Sequence, residues 1–200
     1  MSKRIFDIVF SIIGLLIIWP VFLVVAILIK IKMPGGPVLF TQKRVGRYGK
    51  LFTIYKFRTM IVQHLSDGQV GSGASISVKG QSRITPLGAV LRRYKIDELP
   101  ELFNILIGTM SFVGPRPDVP GYADQLQGDD RLILNLRPGL TCEASLKYAH
   151  EEEFLAEQAN PVWYNDTVIF PDKVKMNLEY LQKHSVWGDI KIIMKTLLYS

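Results

Sequence analysis

Cysteine is nearly absent. Cys142 is the single one in 200 residues, so no internal disulfide framework can form, and no Cys–His cluster offers a structural zinc site. This composition fits a reducing, cytosol-facing location. Histidine is scarce as well: His64, His150 and His184 stand apart without ligand spacing and read as surface or structural residues. With no histidine paired to it in the sequence, Cys142 has little support as a thiol nucleophile. No Walker-type glycine loop and no dinucleotide fingerprint occurs, which leaves ATP and NAD sites unsupported. There is no internal repeat and no low-complexity tract. Charge is missing from one long stretch, Ile8 to Ile29.

What is present is a basic chain, with 24 Lys and Arg against 18 Asp and Glu and a net charge of +6. A pI near 9.4 points to an anionic partner: a phosphate, a lipid headgroup or nucleic acid. The length suits one domain with a real core plus an anchor. The division expected is 1–33 for the anchor and 34–200 for the folded domain.

The uncharged run is long enough to cross a hydrocarbon core, for which roughly 20 apolar helical residues suffice. It is long for a signal-peptide core, and no small-x-small cleavage site precedes Lys30. Lys3 and Arg4 flank one end, Lys30 and Lys32 the other, so positive charge does not distinguish the two sides. Pro20 lies mid-run, where its missing N–H frees the Leu16 carbonyl and favours a kink or a break. The residues leave two arrangements open, a spanning helix and one that enters and leaves by the same face. The final stretch, Ile190 to Tyr199, suits an interfacial amphipathic helix or a helix packed on the core.

Between these ends, Val38–Gln42 and Leu51–Phe57 read as two strands of a hairpin joined by the basic loop Lys43–Lys50. Gln63 to Ser82 is rich in Ser, Gly, Asp and Gln and reads as a long loop that could close over a ligand. Thr85-Pro86 starts a helix running to about Tyr94, and a second helix opens around Asp97 and closes near Gly108. A short charged helix is expected over Glu151–Gln158 and a longer one over Asp172–His184.

Asp97-Glu98 is the constellation with most chemical promise. Free N–H groups and the dipole at a helix start favour negative charge, so both carboxylates are expected to stay ionised. Plain helix capping is the competing reading. Arg116 strengthens the chemical one: prolines on both sides fix its backbone, and a guanidinium can grip a phosphate with two parallel hydrogen bonds. Lys56 and Arg58, two apart on a strand, would face the same way and add positive charge, although solvated strand edges look similar.

Four segments in order, Tyr55-Lys56-Phe57-Arg58-Thr59-Met60, Asp97-Glu98-Leu99-Pro100-Glu101-Leu102-Phe103-Asn104, Gly108 through Pro117 and Arg137-Pro138-Gly139, resemble the bacterial sugar transferases, the monotopic phosphoglycosyl transferases, in their minimal form. The resemblance covers nearly the whole chain. It implies an α+β fold, mostly helical, with a small hairpin sheet and a re-entrant N-terminal membrane helix broken at Pro20. It implies transfer of a sugar 1-phosphate from a UDP-sugar to polyprenol phosphate, releasing UMP, through a covalent intermediate on Asp97. Glu98, with Asp97, would hold Mg²⁺; Arg116, Lys56, Arg58 and Arg137 would bind substrate. The implied setting is the cytoplasmic face of the bacterial inner membrane, at the first membrane step of glycan assembly, with membrane lipid as a partner and no nucleic acid. A homodimer is compatible with the sequence but not specified by it. Two residues depart from the pattern: Trp19 stands where many members have serine before the proline, and Cys142 where glycine is expected.

A reading from another class is a non-catalytic, membrane-anchored basic module that binds anionic lipid or nucleic acid. It requires binding that weakens steeply with salt and ignores Mg²⁺, and it leaves Asp97 and Glu98 dispensable.

Overall fold

The computed structural model describes residues 2–61 and 83–199. The loop expected over Gln63–Ser82 lies outside the described residues. Apolar residues dominate the N-terminal run so thoroughly that a single helix, α1 (Ser2–Lys32), forms, and an 18-residue stretch of it has a mean hydropathy of 3.1. It runs without interruption, so Pro20 does not break it, contrary to expectation. Proline removes one helical hydrogen bond, and contacts on both sides of it hold the helix: Leu15 and Ile18 pack on the cluster that includes Leu102 and Ile105, and Phe22 meets Phe57 and Phe103.

Those contacts belong to a series that follows α1 from end to end. At its start, Lys3 pairs with Asp189, Arg4 donates to the carbonyls of Ile105 and Leu106, and buried Asp7 accepts from Ser111 Oγ and Phe112 N–H. At its finish, Val25, Ile29 and Met33 join Phe57 and Leu91 in one cluster, and Arg58 donates to the Met33 carbonyl. Both ends of α1 are therefore held by the same folded body. The opposite face, including Ile5, Leu16, Ile17, Trp19, Leu23 and Ile31, is exposed and apolar. A contiguous apolar surface of this kind does not persist against water, and it makes the chain membrane-associated.

The hairpin forms as the alternation predicts, but β1 (Leu39–Val45) is longer than expected and takes Lys43 and Arg44 out of the loop. It pairs antiparallel with β2 (Leu51–Phe57), Arg44 opposite Phe52 and Phe40 opposite Lys56. Directly opposed residues share a face, which puts Gln42, Arg44, Ile54 and Lys56 on one side of the ribbon. Next comes α2 (Pro86–Arg93), whose N-cap Thr85 accepts from Gly88 N–H at 2.9 Å. Lys95 follows in the left-handed region (φ 54°), and Ile96–Glu98 make a separate 3₁₀ turn before α3 (Glu101–Ile107). The acid pair thus precedes α3 instead of opening it.

Two three-residue strands, β3 (Ser111–Val113) and β4 (Gly139–Thr141), pair in parallel. They bring Gly114-Pro115-Arg116-Pro117 against Arg137-Pro138-Gly139, two segments the sequence showed as separate turns. Gly139 N–H donates to the Pro115 carbonyl at 2.8 Å, and Gly114 N–H to that of Thr141 at 3.0 Å. The backbones touch so closely that a Cβ on Gly139 would lie 2.1 Å from Gly114 N.

The rest is helical: α4 (Glu143–Lys147), α5 (Glu151–Ala156), α6 (Pro161–Tyr164), α7 (Phe170–Lys183) and α8 (Val186–Tyr199). Cys142 caps α4, its Sγ accepting from Ser145 N–H at 3.3 Å. One side of α8 packs on the core through Ile192 and Ile193, the core-packed arrangement of the two expected, while Trp187, Leu197 and Leu198 are exposed. The fold is α+β, as expected.

Because Gly139 has no room for a Cβ, Gly139→Ala should cost at least about 2 kcal/mol or prevent folding. Gly14→Ala meets only the Leu102 Cδ1 tip at 3.3 Å and gains helix propensity, so it should change stability by less than about 1 kcal/mol. Thermal unfolding of the two detergent-solubilised variants checks the contrast; equal melting temperatures would refute the backbone crossing.

Candidate active site

Lys56, near the end of β2, projects toward the acid-bearing segment because α3 is fastened to that strand. The fastener is Asn104, which is fully buried. Its Oδ1 accepts from Tyr55 N–H at 3.1 Å, and its Nδ2 donates to the Thr53 carbonyl at 2.7 Å and to Thr109 Oγ1 at 3.2 Å. With strand and helix so joined, Lys56 Nζ lies 2.7 Å from Glu98 Oε1 and 3.1 Å from Glu101 Oε1. Arg116 Nη2 reaches the same Glu98 oxygen at 2.5 Å.

The electrostatics separate three carboxylates that the sequence makes look alike. Burial alone would raise Glu98, but the charges of Arg116 and Lys56 overrule it and hold its carboxyl well below the usual range. Burial pushes Glu101 up; Lys56 opposes this and the Glu98 charge adds to it. Asp97 is also pushed up, by burial first and by Glu98 second, with Lys56, Arg92 and Lys95 opposing. The expectation that both members of the acid pair are simply kept ionised by a helix start is therefore corrected: Glu98 is, through its cations, and Asp97 pays for its burial. Asp97 Oδ1 is buried without a hydrogen-bond partner, a poor arrangement for stability and a good one for a group that must react.

The structure thus brings together Asp97, Glu98, Lys56 and Arg116. It places the other two predicted binding residues elsewhere. Arg58 follows the end of β2 and is buried against the end of α1, donating to Met33. Arg137 Nε donates to the Gly108 carbonyl at 2.9 Å, so with Arg4 it caps the C-terminus of α3. Glu101, Asn104 and Arg44 were missed. Glu101 and Asn104 stand three and six residues after Glu98, a spacing that could have placed them on one helical face. Arg44 was hidden by reading its segment as a loop.

Asp97 carries a stability cost with a definite pH dependence. A carboxyl raised on folding is bound to its proton more tightly in the folded state, so the cost is absent below the ordinary carboxylate pKa and complete above the raised one. Asp97→Asn should therefore be more stable than the parent at pH 8, on the order of 1 kcal/mol, with the advantage fading toward pH 4. Melting curves across that interval test this; an advantage independent of pH would show that ionisation of Asp97 is not its source.

Comparison with known proteins identifies the family. The family model described as "Bacterial sugar transferase" matches residues 1–200. The chain is 35% identical over 208 residues to the "Galactosyl transferase CpsE" of Streptococcus agalactiae, covering 98% of this chain and 41% of that one. It is 34% identical over 198 residues to the "UDP-N-acetylgalactosamine-undecaprenyl-phosphate N-acetylgalactosaminephosphotransferase" of Aeromonas hydrophila, covering 98% and 42%. It is 36% identical over 201 residues to the "Exopolysaccharide production protein PSS" of Rhizobium leguminosarum, covering 98% and 92%. The chain thus spans about two-fifths of the first two relatives and nearly all of the third. A match of the family model over the full length, and of a relative over nearly its whole length, makes this chain a member of the bacterial sugar transferase family.

Proposed function

We propose that this protein transfers a sugar 1-phosphate from a UDP-sugar to polyprenol phosphate, giving polyprenol diphosphosugar and UMP, and that Asp97 is the nucleophile. The observation that carries this is the unpartnered, buried Asp97 Oδ1 beside a carboxylate whose Oε1 is engaged by both Lys56 and Arg116. In the first step an Asp97 oxygen bonds to the phosphorus next to the sugar, and the bond from that phosphorus to the UMP oxygen breaks. In the second, a phosphate oxygen of the polyprenol phosphate bonds to the same phosphorus and the Asp97 carboxylate leaves. A carboxylate is a weak nucleophile, so the attacked phosphate must be neutralised. Arg116, half-exposed with its backbone set by flanking prolines, is placed to bind a phosphate oxygen while Glu98 orients its guanidinium.

Mg²⁺ is the cofactor this reading implies. Among the described residues no group of three or more His, Cys, Asp or Glu gathers as a cation cage. Mg²⁺ commonly takes only one or two carboxylates and completes its shell with waters and substrate phosphates. Asp97, through its free oxygen, and Glu98, through the oxygen that Lys56 and Arg116 leave, fit that role. Bound there, the metal would supply charge neutralisation at the transferring phosphate.

The packing of α1 supports entry and exit by one membrane face, since one folded body touching both ends of the helix cannot lie on both sides of a bilayer. With the lipid acceptor confined to that bilayer, a site held at the interface shortens its approach to Asp97. We place the body at the cytoplasmic face of the inner membrane, where nucleotide sugars are made. The basic-module alternative accounts for the charge but not for Asp97.

UMP release by the detergent-solubilised protein, from a panel of UDP-sugars with polyprenol phosphate, in Mg²⁺ and again in EDTA, tests the reading. Metal-dependent release from one donor is expected, falling by at least about 10³-fold in Asp97→Asn. Near-parental turnover in a folded Asp97→Asn would remove the nucleophile assignment.

A further inference from the structure

Between the hairpin, α3 and the Gly114–Pro117 segment lies a cavity of about 30 Å³, lined by Arg44, Ile54, Lys56, Glu101, Arg116 and Pro117. Three of the six carry positive charge. The volume suits one water-sized group, and a phosphate oxygen is such a group. Arg44 is the cation here with no role so far. Its Nη2 donates to Gln42 Oε1 at 2.7 Å, and its Nη1 makes a long contact of 3.4 Å to the Pro117 carbonyl. Its Nε is buried with no partner. A buried N–H without an acceptor costs roughly 1–3 kcal/mol, a cost that persists where something absent from the free protein supplies the acceptor.

The charges agree. Burial and the neighbouring Arg116 both act against the Arg44 cation, more than Asp118, Glu101 and Glu98 support it. An anion entering the cavity would relieve that repulsion. Position then says which anion. The lining does not include Asp97, but two of its cations, Lys56 and Arg116, reach Glu98 Oε1, on the residue that adjoins the nucleophile. A group seated in the cavity is therefore held one position away from Asp97, not at Asp97 itself. In phosphoryl transfer the attacking and leaving oxygens are roughly in line across phosphorus. The phosphate on the side away from the attacking group is the one that departs.

We propose that this cavity seats an oxygen of the leaving nucleoside monophosphate, with Arg44 as its unassigned binding residue. Arg44 Nε donates to that oxygen, Arg116 and Lys56 add charge, and Ile54 excludes water from one wall. The inference rests on the donor reading above.

Calorimetric titration of UMP, and separately of uridine, into the full-length detergent-solubilised protein tests it. Relative to the parent, Arg44→Gln should weaken UMP binding about 10- to 100-fold, the loss of one charge-assisted contact, and leave the response to uridine unchanged. Lys43→Gln, which removes the same charge from the neighbouring strand position, should stay within about twofold. Arg44→Lys keeps the charge but loses the fork and should lose about 3- to 10-fold; it serves as the deciding variant if Arg44→Gln does not fold. Parental UMP affinity in a folded Arg44 variant would overturn the assignment, as would an equal loss for UMP and uridine. A parent protein that binds no UMP would instead overturn the donor reading itself, and does so before any substitution is made.

Discussion

One buried amide joins the two halves of the site. Asn104 gives the edge of β2 what another strand would give it, an acceptor for Tyr55 N–H and a donor for the Thr53 carbonyl. A two-stranded ribbon is marginal alone, and its exposed edge would be free to slide. Asn104 fixes its register against α3, and with it the distance from Lys56 to Glu98 and Glu101. Its third bond, to Thr109, turns the chain after α3 toward β3 and so toward Arg116.

The membrane helix takes part in the same arrangement. Asp7 and Ser11 are buried polar residues inside an otherwise apolar helix. Asp7 is there because β3 offers it two donors, Ser111 Oγ and Phe112 N–H, just ahead of the segment that carries Arg116. Arg4 and Arg137 together satisfy the carbonyls at the end of α3, whose opposite end leads from the acid pair. Anchor and site are therefore one cooperative structure: loosening α1 would release β3 and α3 together.

Local signals made much of this legible. Thr85-Pro86, Gly108, the hairpin strands and the long apolar run each carry their physical cause within a few residues. Asp97, Glu98, Arg116 and Lys56 could be nominated because their chemistry is rare outside sites. What stayed hidden was set by contacts distant in the chain. Pro20 was expected to break the helix because its cost is local, while the packing of Leu15, Ile18 and Phe22 that overcomes it is not. Arg58 and Arg137 looked like phosphate ligands, since nothing in a sequence says that a guanidinium will cap a helix instead. Asp97 was expected to be kept ionised by a helix start, and the burial that instead raises its pKa is set by the fold.

The crossing of Gly114 and Gly139 bears on how such a site can change over generations. Two backbones in van der Waals contact leave no substitution to try at either position, and the prolines beside them limit the neighbours as well. Mutational exploration is thereby shut out of the segment that holds Arg116. On the donor reading proposed above, new preferences must arise from residues whose side chains reach solvent, such as Glu143 and Lys147 just beyond the crossing. A rigid centre with a permissive rim lets one fold vary at its surface while the position of Arg116 stays fixed.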